Sequence, residues 1–179
     1  MISYSIEPLD LHAHLFAVKL RAAHPAPAQR VSLPAWIPGS SLVREFARHL
    51  QRLEARQGGK SVPLRQLDKA SWEVECQGKA ALELSYEVYA FDTSVRAAYL
   101  DASRGFFNGT GVFLRVHGRE GEPQRAEIRA PKAWRVATAL PALKVNAQGQ
   151  GTYEAADYAG LVEHPGGLRP FRRGRCPAA

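Results

Sequence analysis

The sequence predicts a mainly β fold: an antiparallel β-sandwich or saddle-like sheet with two short helices. Two observations carry this. Gly and Pro punctuate the 179-residue chain densely, as at Pro25, Pro27, Pro38-Gly39, Gly58-Gly59, Gly78, Gly118, Gly121, Pro131, Pro141, Gly149 and Gly151. Between them lie short runs in which apolar and polar residues alternate with period two.

The clearest strand is Ala81 to Ala90. Leu82, Leu84, Tyr86 and Val88 fall on one face, and Glu83, Ser85 and Glu87 on the other. Trp72 to Glu75 precedes it across Gln77-Gly78-Lys79, so the two are expected to form a hairpin. Further strands are expected at His14 to Leu20, Arg30 to Trp36, Leu50 to Arg56, Val112 to His117, Arg125 to Arg129 and Trp134 to Thr138. The first helix should follow Pro38-Gly39, capped by Ser40 or Ser41, with Leu42, Val43 and Phe46 toward the protein. The second should run from Asp157, its cap, to Glu163. Its apolar side is Tyr158, Leu161 and Val162, and Pro165 ends it.

Composition narrows the class. Hydrophobic residues make up 45% of the chain and charged residues 23%, ordinary values for a globular protein that builds its own core. No apolar run reaches the roughly 20 residues of a membrane span, and the N-terminus lacks the order of a secretory signal. The net charge is +7, but Arg169, Arg172, Arg173 and Arg175 crowd into the last residues, and basic and acidic residues alternate elsewhere. With no basic-aromatic interleaving, neither nucleic acid nor a membrane is expected as a partner. Cys76 and Cys176 are too few for a disulfide framework or a four-ligand zinc site. Cys76 reads as a small buried thiol in a reducing, cytoplasmic setting.

Catalytic motifs are missing. His12 and His14 would share a face on a strand, as metal ligands can, but Phe16, Val18 and Leu20 continue that face as a core edge. Sequence places no third ligand, and there is no His-Glu-x-x-His. Ser40 and Ser41 lack the Gly-x-Ser-x-Gly context of a nucleophile and read as helix caps. Gly109 and Gly111 have no following lysine for a phosphate loop. Asn108-Gly109-Thr110 is a glycosylation sequon only in form.

The connection Ser94 to Thr110 is richer in chemistry. It holds Arg96, Tyr99, Asp101, Arg104, Phe106, Phe107 and Asn108. Adjacent Phe106 and Phe107 cannot both face inward on a regular strand. Either one ring is core and the other borders a cleft or a partner, or the loop packs on itself around an internal Arg–Asp pair.

Three segments taken in order, Trp36 to Arg48 (WIPGSSLVREFAR), Tyr89 to Asp101 (YAFDTSVRAAYLD) and Gly105 to Thr110 (GFFNGT), resemble the N-terminal domain of the glycyl aminopeptidase family of zinc metallopeptidases (metallopeptidase family sixty-one). His14-Leu15-Phe16 and Asp157-Tyr158 to Pro165 fit the same order. The resemblance covers residues 3 to 165, the expected N-terminal β domain. Residues 166 to 179 depart from it and are expected to form an irregular basic tail, truncated or altered, which would leave an open sheet edge able to pair two copies. Ser41 stands where the family usually has tyrosine, and Gly111 where it often has serine.

The resemblance implies a parent enzyme with a thermolysin-like zinc domain carrying His-Glu-x-x-His, followed by a PDZ-like domain. This chain matches neither the zinc ligands nor the general base, so it is expected to be inactive alone, with no cofactor of its own. It implies a wall beside the peptide cleft, docked to the catalytic domain. Arg96, Tyr99, Asp101, Phe107 and Asn108 are the expected cleft-side or interface residues. The first helix would close one end of the sheet over Trp36 and Phe46. A second reading is a stand-alone module that grips a peptide or sugar through the Tyr99 to Thr110 loop.

Overall fold

The computed structural model describes residues 1–37, 42–94 and 96–170. Sixteen strands occur among them. In chain order they are β1 (Ile2–Asp10), β2 (Leu15–Ala22), β3 (Ala28–Ser32), β4 (Leu50–Gln57), β5 (Lys60–Ser61), β6 (Leu64–Asp68), β7 (Ser71–Glu75) and β8 (Leu82–Tyr89). There follow β9 (Ala98–Leu100), β10 (Gly105–Phe107), β11 (Arg115–Val116), β12 (Gln124–Ile128), β13 (Trp134–Thr138), β14 (Ala142–Val145), β15 (Gly151–Ala155) and β16 (Gly166–Pro170). Two α-helices, α1 (Gly109–Val112) and α2 (Tyr158–Glu163), and one 3-10 turn at Phe46–His49 complete the set.

The fold is mainly β, as expected, with three sheets and no closed barrel among the described residues. The largest has eight strands in the order β14-β15-β12-β1-β2-β8-β4-β5. Its pairs are antiparallel except β1 with β12. Two four-stranded sheets, β13-β16-β10-β9 and β11-β3-β7-β6, accompany it.

Period-two alternation makes the large sheet two-faced. Ile2, Tyr4, Ile6, Phe16, Val18, Leu20, Leu82, Leu84, Tyr86 and Val88 are buried in the common core. The opposite face carries Ser3, Ser5, Lys19, Arg21, Arg56, Glu83, Ser85, Arg125 and Glu127 around a concavity of about 630 Å³. Ion pairs such as Arg125–Glu154 at 2.6 Å and Arg21–Glu83 at 3.8 Å lace this polar, saddle-like face.

The core also holds irregular backbone, whose carbonyls must find donors. Three tyrosines from three elements supply them. Tyr86 donates to the Val112 carbonyl at 2.6 Å, Tyr158 to Phe113 at 2.7 Å and Tyr4 to Leu114 at 2.9 Å. The Tyr86 oxygen also accepts from the Leu114 amide at 3.2 Å. Sheet, helix and inner segment are thereby locked at three consecutive residues. Burial pushes all three phenols well above the ordinary tyrosine range.

Helix α2 forms as read from the sequence. Asp157 caps it by accepting from the Gly160 amide at 2.7 Å, and Tyr158, Leu161 and Val162 are buried. Helix α1 approaches it closely, since a Cβ on Gly109 would lie 2.6 Å from the Val162 Cα.

Four expectations are corrected. Trp72 to Glu75 makes no hairpin with the Leu82 strand: β7 pairs with β3 and β6, while β8 pairs with β2 and β4. The connection instead crosses between sheets, held by buried Gln57. Its side-chain oxygen accepts from the Gln77 amide at 2.8 Å, and its Nε2 donates to the Ala80 carbonyl at 2.7 Å. The helix expected after Ser40 or Ser41 is only the 3-10 turn at Phe46–His49; Pro38, Gly39, Ser40 and Ser41 lie outside the described residues. Leu42 and Val43 are exposed, and Trp36 is 57% exposed, so only Phe46 is covered. His12 and His14 lie in a turn rather than on a strand. Finally, the expected irregular tail is regular over its first five residues: β16 sits between β13 and β10, and residues 171–179 lie outside the described set. Gly166 lets it do so, because a Cβ there would overlap the Phe107 ring.

Candidate docking and cleft site

The strand parity that buries Leu82, Leu84, Tyr86 and Val88 puts Glu83, Ser85 and Glu87 outside. Continued past the strand, it also puts Tyr89 and Phe91 outside, in place of charge. Phe91 is 53% exposed and Tyr89 is 42% exposed. Phe91 bridges to Tyr99 of β9, and the two rings stack with centroids 5.6 Å apart. On the other side the His14 ring lies 4.1 Å from Phe91. The Arg104 guanidinium sits 4.8 Å from the Tyr99 centroid. Four flat groups therefore line up as His14, Phe91, Tyr99 and Arg104.

Each end of the row is fixed by the backbone. His14 has a left-handed φ of 59°, uncommon for a residue with a side chain. Its carbonyl accepts from the Ala90 amide at 2.7 Å. Its Nδ1 lies 2.5 Å from the Leu100 carbonyl, which requires Nδ1 to carry the proton and leaves Nε2 as the open atom. At the other end Asp101 closes the turn from β9 to β10. Oδ2 accepts from the Tyr99 hydroxyl at 2.6 Å. Oδ1 accepts from the Ser103 amide and hydroxyl, both at 2.7 Å, and from the Arg104 amide at 2.9 Å. The Tyr99 hydrogen bond, followed by those from Ser103, holds the Asp101 carboxyl far below the usual carboxylate range. An acid with all its lone pairs engaged and so low a proton affinity is a turn-former, unsuited to be a general base.

Beside the row, Thr93, Ser94, Tyr99, Arg104, Phe106 and Arg169 frame a shallow hollow of about 260 Å³. Its floor is bare because Gly167 pairs with Phe106 across the strands and carries no side chain.

The five residues singled out from the sequence thus separate. Tyr99 and Asp101 meet directly. Arg96 is exposed. Phe107 is fully buried, packed edge-on against Phe16 at 5.9 Å and Phe113 at 5.8 Å, so it borders no cleft; its half-exposed neighbour Phe106 does. Asn108 caps α1, accepting from the Thr110 amide at 3.1 Å and its hydroxyl at 2.5 Å. The aromatics missed in the sequence, Tyr89 and Phe91, are those that the parity of β8 exposes.

Nothing in this arrangement suits a metal. Among the described residues no group of three or more His, Cys, Asp or Glu comes together. His14 offers a single free nitrogen and Asp101 is saturated. No helix among them is long and apolar enough to cross a membrane.

Comparison with known proteins gives the fold its relatives. A search of curated proteins found no match. An aminopeptidase N family protein from Idiomarina loihiensis superposes with a TM-score of 0.91 at 39% identity, over 94% of this chain and 29% of its own. An M1 zinc metallopeptidase from Deinococcus radiodurans shares the fold at a TM-score of 0.55 and 13% identity, over 94% of this chain and 41% of its own. Leukotriene A4 hydrolase from Saccharomyces cerevisiae does so at 0.53 and 10%, over 94% of this chain and 28% of its own. The chain therefore spans less than half the length of each of these proteins. The family description Peptidase M61 N-terminal domain matches residues 3–166, and the chain belongs to that family.

Proposed function

We propose that this chain is the non-catalytic N-terminal unit of a zinc-dependent aminopeptidase, and that its aromatic row is the face that docks the catalytic domain and walls the peptide cleft. The observation that carries this is the row in which exposed Phe91 lies between half-buried His14 and Tyr99, with Arg104 over the Tyr99 ring. Exposed aromatics and arginine are the residues enriched where one protein surface buries another, and a preorganised stack loses little entropy on being covered. The Idiomarina loihiensis relative, over three times longer than the part matched here, supports a neighbour that could cover it.

In this reading the zinc belongs to the neighbour, where it would polarise the scissile carbonyl and activate water. The chain described here supplies position only. Arg96 and Arg104 face the neighbour or the substrate, Tyr99 holds the row, Asp101 sets the turn beneath it, and Phe107 and Asn108 keep the turn on the core. Incubating the purified chain with aminoacyl reporter substrates and zinc tests the non-catalytic assignment. No turnover above a protein-free control is expected; turnover that grows with protein concentration would overturn it.

A further inference from the structure

A second hollow, of about 480 Å³, opens beside the row. Its lining includes Val43, Arg44, Glu45, Arg48, His49 and Asp92. The arginine at its heart is unusual. The Arg44 Nε is buried and, among the described residues, has no hydrogen-bond partner. A guanidinium N–H withdrawn from water and left unpaired costs free energy, and its presence beside a hollow calls for an explanation. The main chain at Arg44 is anchored, its amide donating to the Ala35 carbonyl at 2.6 Å.

The surrounding charges are already committed. Glu45 is paired with Lys69 at 3.0 Å. Asp92 accepts from the Ser94 amide at 2.8 Å and faces Arg48 and His49. Arg48 Nε donates to His49 Nε2 at 3.1 Å, so His49 serves as acceptor and is neutral in this arrangement. Burial, with Arg48 adding to it, keeps the His49 pKa below its ordinary value. Lys69 holds Glu45, Asp92 lies near His49 and Arg48, and among the described residues no carboxylate comes within ion-pair distance of Arg44. One fixed positive charge with a free N–H and an apolar rim at Val43 matches a monoanion on an apolar stem better than a dianion.

We infer that the hollow around Arg44 is a carboxylate-binding site, receiving either the C-terminal carboxylate of a peptide or an acidic side chain presented by a partner. This stands apart from the docking reading, since it needs only Arg44 and its hollow.

The test is NMR titration of the ¹⁵N-labelled chain, following the Arg44 Nε–H resonance. N-acetylglycine should shift it saturably; N-acetylglycinamide should bind at least tenfold more weakly. A peptide with a free C-terminus and a C-amidated peptide carrying one glutamate separate the two sources, the tighter ligand naming the one that fits. Arg44→Met should weaken either at least tenfold, and Arg65→Met, at an exposed arginine paired with Glu73, should leave both unchanged. Because Arg44→Met could disturb folding, the wild-type resonance is the deciding readout. Equal shifts with acid and amide, no shift with any carboxylate, or tighter binding of inorganic phosphate would overturn the assignment.

Discussion

The Tyr99 hydroxyl donates to Asp101 across 2.6 Å, and this one bond joins the aromatic row to the turn that carries Arg104. Its strength has a pH signature. The folded-state pKa of Asp101 is depressed, first by Tyr99 and then by Ser103. A carboxylate held this way stabilises the fold above its unfolded pKa, near 3.9. That contribution fades as pH falls through the lower folded value. Asp101→Asn should therefore be less stable than the wild type at pH 7, and the gap should close on acidification below about pH 4. Urea denaturation of both proteins from pH 7 to pH 3 checks this; a gap that widens toward acid would contradict it.

Phe106 and Phe107 should respond oppositely to truncation. Phe107 is fully buried among Phe16 and Phe113, so Phe107→Ala should cost about 3–5 kcal/mol. Phe106→Ala, at a half-exposed position, should stay within about 1 kcal/mol of wild type. Denaturation midpoints at constant slope decide between the two.

The tyrosine clasp around Val112, Phe113 and Leu114 predicts both a mutational cost and an alkaline limit. Tyr86→Phe removes the donor to Val112 and the acceptor for Leu114, and should cost about 1–3 kcal/mol. The raised pKa values of Tyr4, Tyr86 and Tyr158 mean that these phenols stay protonated in the fold while unfolded chains ionise near pH 10. The stability they contribute is complete below that pH and is lost as pH rises toward the folded values. Stability should fall above about pH 10, more gently in Tyr86→Phe than in the wild type. Denaturant titrations between pH 8 and pH 11 measure both slopes.

Much of the fold was legible because its signals are local. The alternation of Leu82 to Val88 gave a strand and its buried face, and the Asp157 cap with Tyr158, Leu161 and Val162 gave a helix. Ile2, Tyr4 and Ile6 alternate just as clearly, in a strand at the centre of the large sheet, but the run is short of the Gly and Pro punctuation that marks the others. Pairing was not legible. Trp72 to Glu75 and Leu82 to Tyr89 are neighbours in sequence but lie in different sheets, and what separates them is a contact with Gln57, 20 residues upstream of Gln77. The site was half legible. The parity of β8 already exposes Tyr89 and Phe91, whereas the choice between Phe106 and Phe107 turns on Gly166 leaving room for a ring. A glycine 59 residues away carries no signal at Phe107.

The central claim is that the His14–Phe91–Tyr99 row meets a catalytic neighbour. Calorimetric titration of this chain against the separately produced remainder of the Idiomarina loihiensis relative tests it most directly, with Phe91→Ser and Lys19→Ser as paired variants. The account predicts saturable binding that weakens at least tenfold for Phe91→Ser and is unchanged for Lys19→Ser on the polar sheet face. Absence of binding, or binding lost with Lys19→Ser and kept with Phe91→Ser, would contradict it.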